Sequence, residues 1–73
     1  MSTLSERVRE ARRACGYTQD ELAEVSGLGR VSIARIETGA QTNPTLATLR
    51  ALARALLTTV GALVDGAHLR GAP

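Results

Sequence analysis

The stretch "YTQDELAEVSGLGRVSIARIETG", residues 17–39, decides the fold. It holds two short helical patterns that are separated only by the Gly-Leu-Gly segment 27–29. Thr18 and Glu21 have the spacing of a capping box, in which two side chains satisfy free backbone N–H groups at the start of a helix. Gly27 ends this helix, because glycine readily adopts the left-handed conformation found after many helices. The stretch therefore predicts two short helices joined by a tight turn.

The second of these helices has two chemically different faces. Gly29 is in position to cap its start, and Gly39 closes it. Helical periodicity directs one set of residues toward the core, namely Ile33, Ile36 and Glu37. The outward set consists of Val31, Ala34, Arg35 and Thr38. The helix is therefore expected to pack by one face and to present a polar, arginine-bearing face to solvent.

Three further helices are predicted outside this stretch. A first helix from about Leu4 to Cys15 has apolar residues at helical spacing, and Thr3 with Glu6 forms a capping box at its start. A fourth helix begins at Pro44 and Thr45 and carries a long apolar stripe, Leu46, Leu49, Leu52, Ala53 and Leu56. A fifth, short helix follows a Thr59 cap and contains Val60, Leu63 and Val64. Residues 66–73 have little apolar content and are predicted to form a disordered tail.

Length and composition favour one small all-α domain at residues 1–65. The chain has 73 residues, of which 44% are hydrophobic, but Tyr17 is its only aromatic residue. An aliphatic core of this kind favours helices over sheets. The N-terminus is too charged for a signal peptide, and no apolar stretch approaches the roughly 20 residues that span a bilayer. We expect a soluble, cytoplasmic protein.

Catalytic and metal-binding functions are disfavoured by the residues available. The chain has one histidine and one cysteine, and no carboxylates at the spacing of metal ligands. His68 lies in the predicted tail, and Cys15 lies on the apolar stripe of the first helix, where packing explains it. The sequence therefore predicts that the protein is not an enzyme and that it needs no metal or cofactor. The net charge of +2, carried by arginine without lysine, indicates no particular partner.

Two helices at a tight glycine turn are typical of a helix-turn-helix, whose second helix enters the DNA major groove. The chain resembles the Cro/C1-type (XRE) helix-turn-helix family from Val8 to Val64. The resemblance rests on "TQDELA", the glycine turn, "IARIETG" and the "NP" before the fourth helix, which occur in the family's order. It implies a five-helix, lambda-repressor-like bundle and a sequence-specific DNA-binding transcriptional regulator, by default an autorepressor. It also implies a bacterial or phage origin and an association with the nucleoid.

The resemblance and the chemistry of base recognition predict which residues contact DNA bases. Arginine pairs with O6 and N7 of guanine, and a valine side chain contacts the thymine methyl group. Arg35, in the middle of the outward face, is the strongest candidate, whereas Arg30 at the helix start is equally suited to phosphate. Ala34 is small enough to let the helix approach. The predicted base-contacting set is Arg30, Val31, Ser32, Ala34 and Arg35.

Phosphate contacts are predicted at the start of the second helix and in the loop after the third. The resemblance places Gln19 against a phosphate, where free backbone N–H groups of a helix N-terminus also favour an anion. Thr18 and Asn43 are the further candidates. The loop "AQTN" lacks the basic residues of some phage relatives, which predicts a shallow dependence of binding on salt.

A buried ion pair is predicted between Arg12 and Glu37. Arg12 lies on the stripe of the first helix that should be buried, and a buried charge requires a partner. Glu37 lies on the inward face of the third helix, and the resembled phage repressors have an Arg–Glu pair at these positions. We expect the pair to orient the third helix.

Self-association is expected because one recognition helix reads only about four base pairs, too short a word to define a genomic site. A two-fold dimer would place two such helices about 34 Å apart on an inverted-repeat operator. Candidate interface residues are Leu57, Val60 and Leu63. For Val60 a place in the monomer core is the favoured alternative, and the resembled family often has glycine at position 57.

Two alternatives to a DNA-binding regulator remain at the level of sequence. An antitoxin or protein-interaction module can share this fold and bind a toxin or another regulator as well as its own promoter. A helix lying on a membrane surface is weakly supported, because no helix pairs a strong apolar face with a basic one. The predicted partners are therefore double-stranded DNA, a second copy of the chain and, in the alternative, another protein, without a membrane.

Overall fold

The computed structural model describes residues 3–65, which form five α-helices. These are α1 (Leu4–Ala14), α2 (Gln19–Ser26), α3 (Arg30–Thr38), α4 (Leu46–Ala55) and α5 (Val60–Asp65). Within the described range there is no strand, so the prediction of an all-α, five-helix bundle is confirmed. The predicted tail at residues 66–73 lies outside the described residues.

Threonine caps begin four of the five helices, and the exception is α3, whose cap residue Gly29 makes no side-chain hydrogen bond. Thr3 and Thr18 each form a complete capping box, with Glu6 and Glu21 respectively. The hydroxyl of Thr45 accepts from Thr48 N, and α4 begins one residue after it, at Leu46 rather than at the predicted Pro44. A fourth threonine begins α5: Thr59 Oγ1 accepts a 3.0 Å hydrogen bond from Ala62 N. Each cap satisfies an N–H that the helix itself leaves free.

Glycine forms the C-terminal cap of both α2 and α3. Gly27 has φ 77° directly after α2, and Gly39 has φ 86° directly after α3. These are left-handed conformations that L-residues with a Cβ disfavour. A Cβ added at either position would have no atom within 4 Å. Backbone conformation, and not crowding, therefore requires glycine at these turns.

The core fixes α3 from behind. It is built from aliphatic side chains of all five helices, including Val8, Leu22, Ile33, Ile36, Leu52 and Leu63. Helix α1 packs against α3 and α5, and α2 packs against α3 and α4. Because Ile33 and Ile36 are both buried on one side of α3, its other side is directed outward.

Arg7 joins the first helix to the last. Its guanidinium donates from one terminal nitrogen to the carbonyl oxygens of Val64 at 2.7 Å and Leu63 at 3.1 Å. Carbonyls in the last turn of a helix lack intrahelical partners, and a cation at that end is favourable. Arg7 therefore holds the short helix α5 against α1.

Leu57 occupies a position that usually requires glycine. Thr58 N donates to Ala53 O and Leu57 N donates to Arg54 O, which is the hydrogen-bond pattern of a Schellman motif after α4. The motif needs a left-handed residue, and Leu57 has φ 59°. Its side chain is 87% exposed. The backbone strain is therefore not offset by packing of this side chain against residues 3–65.

The structure divides the three predicted interface residues. Leu63 is only 2% exposed and belongs to the monomer core, which corrects its assignment to a surface between two chains. Its burial follows from the packing of α5 against α1 and α4. Val60 is half-buried and packs against the core, as in the favoured alternative. Leu57 is the member whose side chain is available to another molecule.

Candidate nucleic-acid interface

The outward face of α3 carries most of the residues predicted to contact bases. Val31, Ser32 and Arg35 are exposed, and Ala34 is half-buried between them. Val31 is a large apolar side chain that is 71% exposed, an unfavourable state for an isolated monomer in water. The face thus combines an apolar contact surface with an arginine, which suits the edges of bases in a major groove.

Arg35 is unpaired within residues 3–65. Its guanidinium forms no hydrogen bond or ion pair with any described residue, although its backbone carbonyl accepts from Thr38 Oγ1 and Gln41 N. It borders a cleft between α3 and the start of α4, lined also by Ser32, Ile36, Gln41, Pro44, Thr45 and Thr48. All five of its N–H donors therefore remain available to an acceptor outside the chain.

Arg12 and Glu37 form a buried ion pair beneath this face. Arg12 Nε donates to Glu37 Oε2 at 2.7 Å and a second guanidinium nitrogen donates to Oε1 at 3.1 Å, a two-point contact between α1 and α3. The side chains are 13% and 3% exposed. Arg12 also donates to Tyr17 O at 2.8 Å, and Arg9 donates to Glu37 O at 3.1 Å. The two arginines of α1 thus hold the C-terminal turn of α3 and the segment before α2.

Gln19 extends this polar network to the surface. Its Nε2 donates to Glu37 Oε1 at 3.1 Å, and its Oε1 accepts from Arg30 Nε at 3.2 Å. One N–H of the side-chain amide is thereby used, and the other remains available. The start of α2 is therefore held in a fixed orientation, with a donor still available for the predicted phosphate contact.

Arg30 lies over the start of α2 in this structure. In addition to its bond with Gln19, it donates to Asp20 Oδ1 at 3.0 Å. Both residues of the ion pair are largely exposed. Arg30 therefore is not directed along the outward face beside Arg35, and its predicted role as a base contact would require it to leave Asp20.

Asp20 pairs with Arg30 beside the candidate interface, and the sequence did not predict this pair. It is ten positions from Arg30 on a different helix, so helical periodicity, which relates residues three or four apart, gives no signal for the pair. The only usable signal is indirect, since the tight turn brings the first residues of the two helices together.

Thr18 and Asn43 are both exposed, and they lie in the sequence before α2 and after α3 respectively. Thr18 is used as a cap: its hydroxyl oxygen accepts from Glu21 N at 3.0 Å and its own N–H donates to Glu21 Oε1 at 2.8 Å. Its hydroxyl proton is left for an external acceptor. Asn43 N donates to Gln41 Oε1 at 3.0 Å, and its side-chain amide has no partner in the described part of the chain. Both therefore retain a donor for a phosphate.

Other kinds of site find little support in the described part of the chain. No group of His, Cys, Asp and Glu side chains among residues 3–65 has the arrangement that holds a metal ion. Over the same range, no helix has the length and apolar character needed to cross a membrane.

A family comparison agrees with this geometry. The family model described as helix-turn-helix matches residues 8–63, most of the chain. The chain belongs to the Cro/C1-type helix-turn-helix family. The match covers α2, the turn and α3, together with the supporting helices α4 and most of α1 and α5. The family is one of DNA-binding regulators and is not a class of enzymes.

Two individual relatives are regulatory proteins. The control protein C.SmaI of Serratia marcescens is 44% identical over 67 residues, which cover 92% of this chain and 79% of that protein. The HTH-type transcriptional regulator SinR of Bacillus subtilis (strain 168) is 32% identical over 65 residues, which cover 89% of this chain. The chain spans only 59% of the length of SinR. The crystal structure of SinR in complex with DNA aligns with a TM-score of 0.84, 32% identity, and coverage of 86% of this chain and 100% of that chain.

Proposed function

We propose that the protein is a sequence-specific DNA-binding transcriptional regulator that reads the major groove with α3. The observation that carries the proposal is the outward face of α3, where the exposed Val31 and the unpaired Arg35 are held in place by the buried Arg12–Glu37 pair. A rigidly anchored helix with donors directed outward pays little ordering cost when it binds. The similarity to SinR in complex with DNA supports the same assignment.

The resulting model of the complex has three parts. Val31, Ser32, Ala34 and Arg35 contact bases, the N-terminus of α2 with Gln19 and Thr18 contacts a phosphate, and Asn43 contacts a second phosphate after α3. Base contacts supply specificity and phosphate contacts fix the position of the helix. The protein acts in the cytoplasm at the nucleoid, as a repressor that occludes its own promoter.

Arg35→Ala is expected to weaken binding to DNA from the region upstream of the protein's own gene by about 1–3 kcal/mol, the range for loss of a bidentate arginine–guanine contact. The measurement is a fluorescence-anisotropy titration, with a scrambled duplex of equal length for comparison. Arg50→Ala is the matched control, because Arg50 is exposed on α4, which packs against α2 and α5, and its replacement removes the same charge.

Equal weakening by Arg35→Ala and Arg50→Ala would contradict base recognition by α3 and would indicate a general effect of charge. Weak wild-type binding that is the same on both duplexes would contradict the regulator itself. In that case the fold would serve a protein partner, as in an antitoxin, and a partner protein would have to be sought.

We propose further that the regulator binds an inverted repeat as a homodimer in which Leu57 contacts the partner. An exposed leucine held in a left-handed conformation costs the monomer stability through both its strain and its hydration. Contact with a second chain removes the leucine side chain from water and so offsets the cost of its hydration. Leu57 lies between α4 and α5 and is not part of α3, so this contact does not use a residue proposed to bind DNA.

Leu57→Gly is expected to raise the free energy of unfolding of the monomer by up to about 1 kcal/mol, because glycine relieves the left-handed strain at some cost in unfolded-state entropy. It is also expected to weaken self-association. Sedimentation velocity over a range of concentrations measures association, and urea denaturation at the lowest concentration measures stability. Leu57→Ala is the control, since it removes the same contact but keeps the strain and so gains no such stability. A wild-type protein that stays monomeric on operator DNA would refute the dimer.

A further inference from the structure

Asp20 places a negative charge where the proposed function needs a phosphate. It lies in the first turn of α2, and its carboxylate accepts from the guanidinium of Arg30 at 3.0 Å. A phosphate and a carboxylate are alternative acceptors for the same guanidinium. A phosphate bound at the start of α2 would therefore meet an arginine that already has an anionic partner.

The orientation of Arg30 is set from inside the protein. Its Nε donates to Gln19 Oε1 at 3.2 Å, and Gln19 is in turn held by Glu37 of the buried pair. Two neighbouring residues of α2, Gln19 and Asp20, thus accept hydrogen bonds from two nitrogens of one guanidinium. This arrangement places the charge of Arg30 over α2 and turns it away from the face that carries Val31 and Arg35.

We propose that Asp20 is an internal competitor of DNA phosphate for Arg30, and that it lowers the affinity of the protein for DNA of any sequence. The proposal rests on the proposed DNA-binding function. To contact the backbone, Arg30 must leave Asp20, and the carboxylate that remains repels the phosphate. The base contacts of α3 do not involve this pair. Asp20 therefore weakens binding to specific and non-specific DNA by the same factor, so that tight binding requires the base contacts of α3.

Removal of the Asp20 charge should change DNA affinity by only a small factor, but it should also change the dependence of affinity on salt. An exposed ion pair contributes little, so removal of the competitor should tighten binding about three- to fivefold. If Arg30 then neutralises one more phosphate, the slope of log K against log salt should steepen by about 0.9. The ratio of affinities for specific and scrambled DNA should stay nearly the same, because both duplexes gain the same phosphate contact.

The test compares Asp20→Asn with wild type by fluorescence anisotropy, on the upstream duplex and on a scrambled duplex, at several salt concentrations. Glu24→Gln is the matched control: Glu24 is exposed on the same helix, forms no ion pair among the described residues, and its replacement removes the same charge. Each measurement is repeated in an Arg30→Ala background. Asp20→Asn should tighten binding to both duplexes and steepen the salt slope, and most of this gain should disappear without Arg30.

Three results would overturn the inference. Equal effects of Asp20→Asn and Glu24→Gln would show only a general charge effect. An effect of Asp20→Asn that persists fully in the Arg30→Ala background would show repulsion of phosphate without competition for the arginine. Weaker binding would show a structural role, since loss of an acidic residue from the first turn of a helix destabilises it slightly. Failure of the wild type to bind either duplex would instead refute the proposed function.

Discussion

Glu37→Ala is expected to lower the free energy of unfolding by about 3–5 kcal/mol, the cost of removing one partner from a buried ion pair. Arg12 would keep its bond to Tyr17 O but would lose both contacts with the carboxylate, and its side chain is only 13% exposed. Gln19 would lose the acceptor of its Nε2 as well. The replacement therefore leaves a buried charge without a counter-ion at the junction of α1, α2 and α3.

Urea denaturation followed by circular dichroism measures this effect. Glu24→Ala is the control, because it makes the same substitution at an exposed helical position and should change stability by no more than about 0.5 kcal/mol. The double variant Arg12→Met with Glu37→Leu replaces both charges with apolar groups and should recover most of the lost stability. Similar stabilities of Glu37→Ala and Glu24→Ala would contradict a structural role for the pair.

The buried pair is predictable from sequence because it breaks a pattern. Arg12 falls on an apolar stripe, and Glu37 falls beside Ile36 on the inward face of α3, so each charge is out of place unless the other is near. The threonine caps are predictable for a similar reason, since capping requires only residues three apart. Capping residues therefore predict where the helices begin, and the rule that buried charges are paired predicts how α3 is anchored to α1.

Ion pairs on the surface are harder to predict from the sequence than the buried pair. The Arg30–Asp20 pair depends on the angle at which α2 and α3 meet, and that angle is a property of the assembled core. Leu63 is a second example. Its helical periodicity predicts that it is buried, but it does not tell whether its face packs against α1 and α4 or against another chain. Tertiary packing decides both cases.

In helix α2 the sequence does not tell which of two aliphatic residues is buried. Leu22 and Val25 are both aliphatic residues of the same two-turn helix, and the sequence alone gives them similar weight in the core. The structure separates them, because Leu22 is fully buried whereas Val25 is 53% exposed. This difference can be converted into a measurement.

Leu22→Ala is expected to lower the free energy of unfolding by about 2–5 kcal/mol, through lost burial and the cavity that remains. A small domain is stabilised by only roughly 0.05–0.15 kcal/mol per residue, so this loss is a large part of the total. DNA affinity should fall with it, but through the unfolded fraction. Val25→Ala, on the same helix, should lose less than about 1 kcal/mol, because much of its side chain is already in water.

Thermal denaturation of both variants, combined with anisotropy titrations at a low and a raised temperature, separates stability from contact. The affinity of Leu22→Ala should approach that of wild type at the lower temperature, where the fraction folded recovers. Arg35→Ala should remain weakened at both temperatures, because it stays folded and lacks a donor. Equal destabilisation by Leu22→Ala and Val25→Ala would mean that α2 is held by its turns and caps, and that the aliphatic core does not set its position.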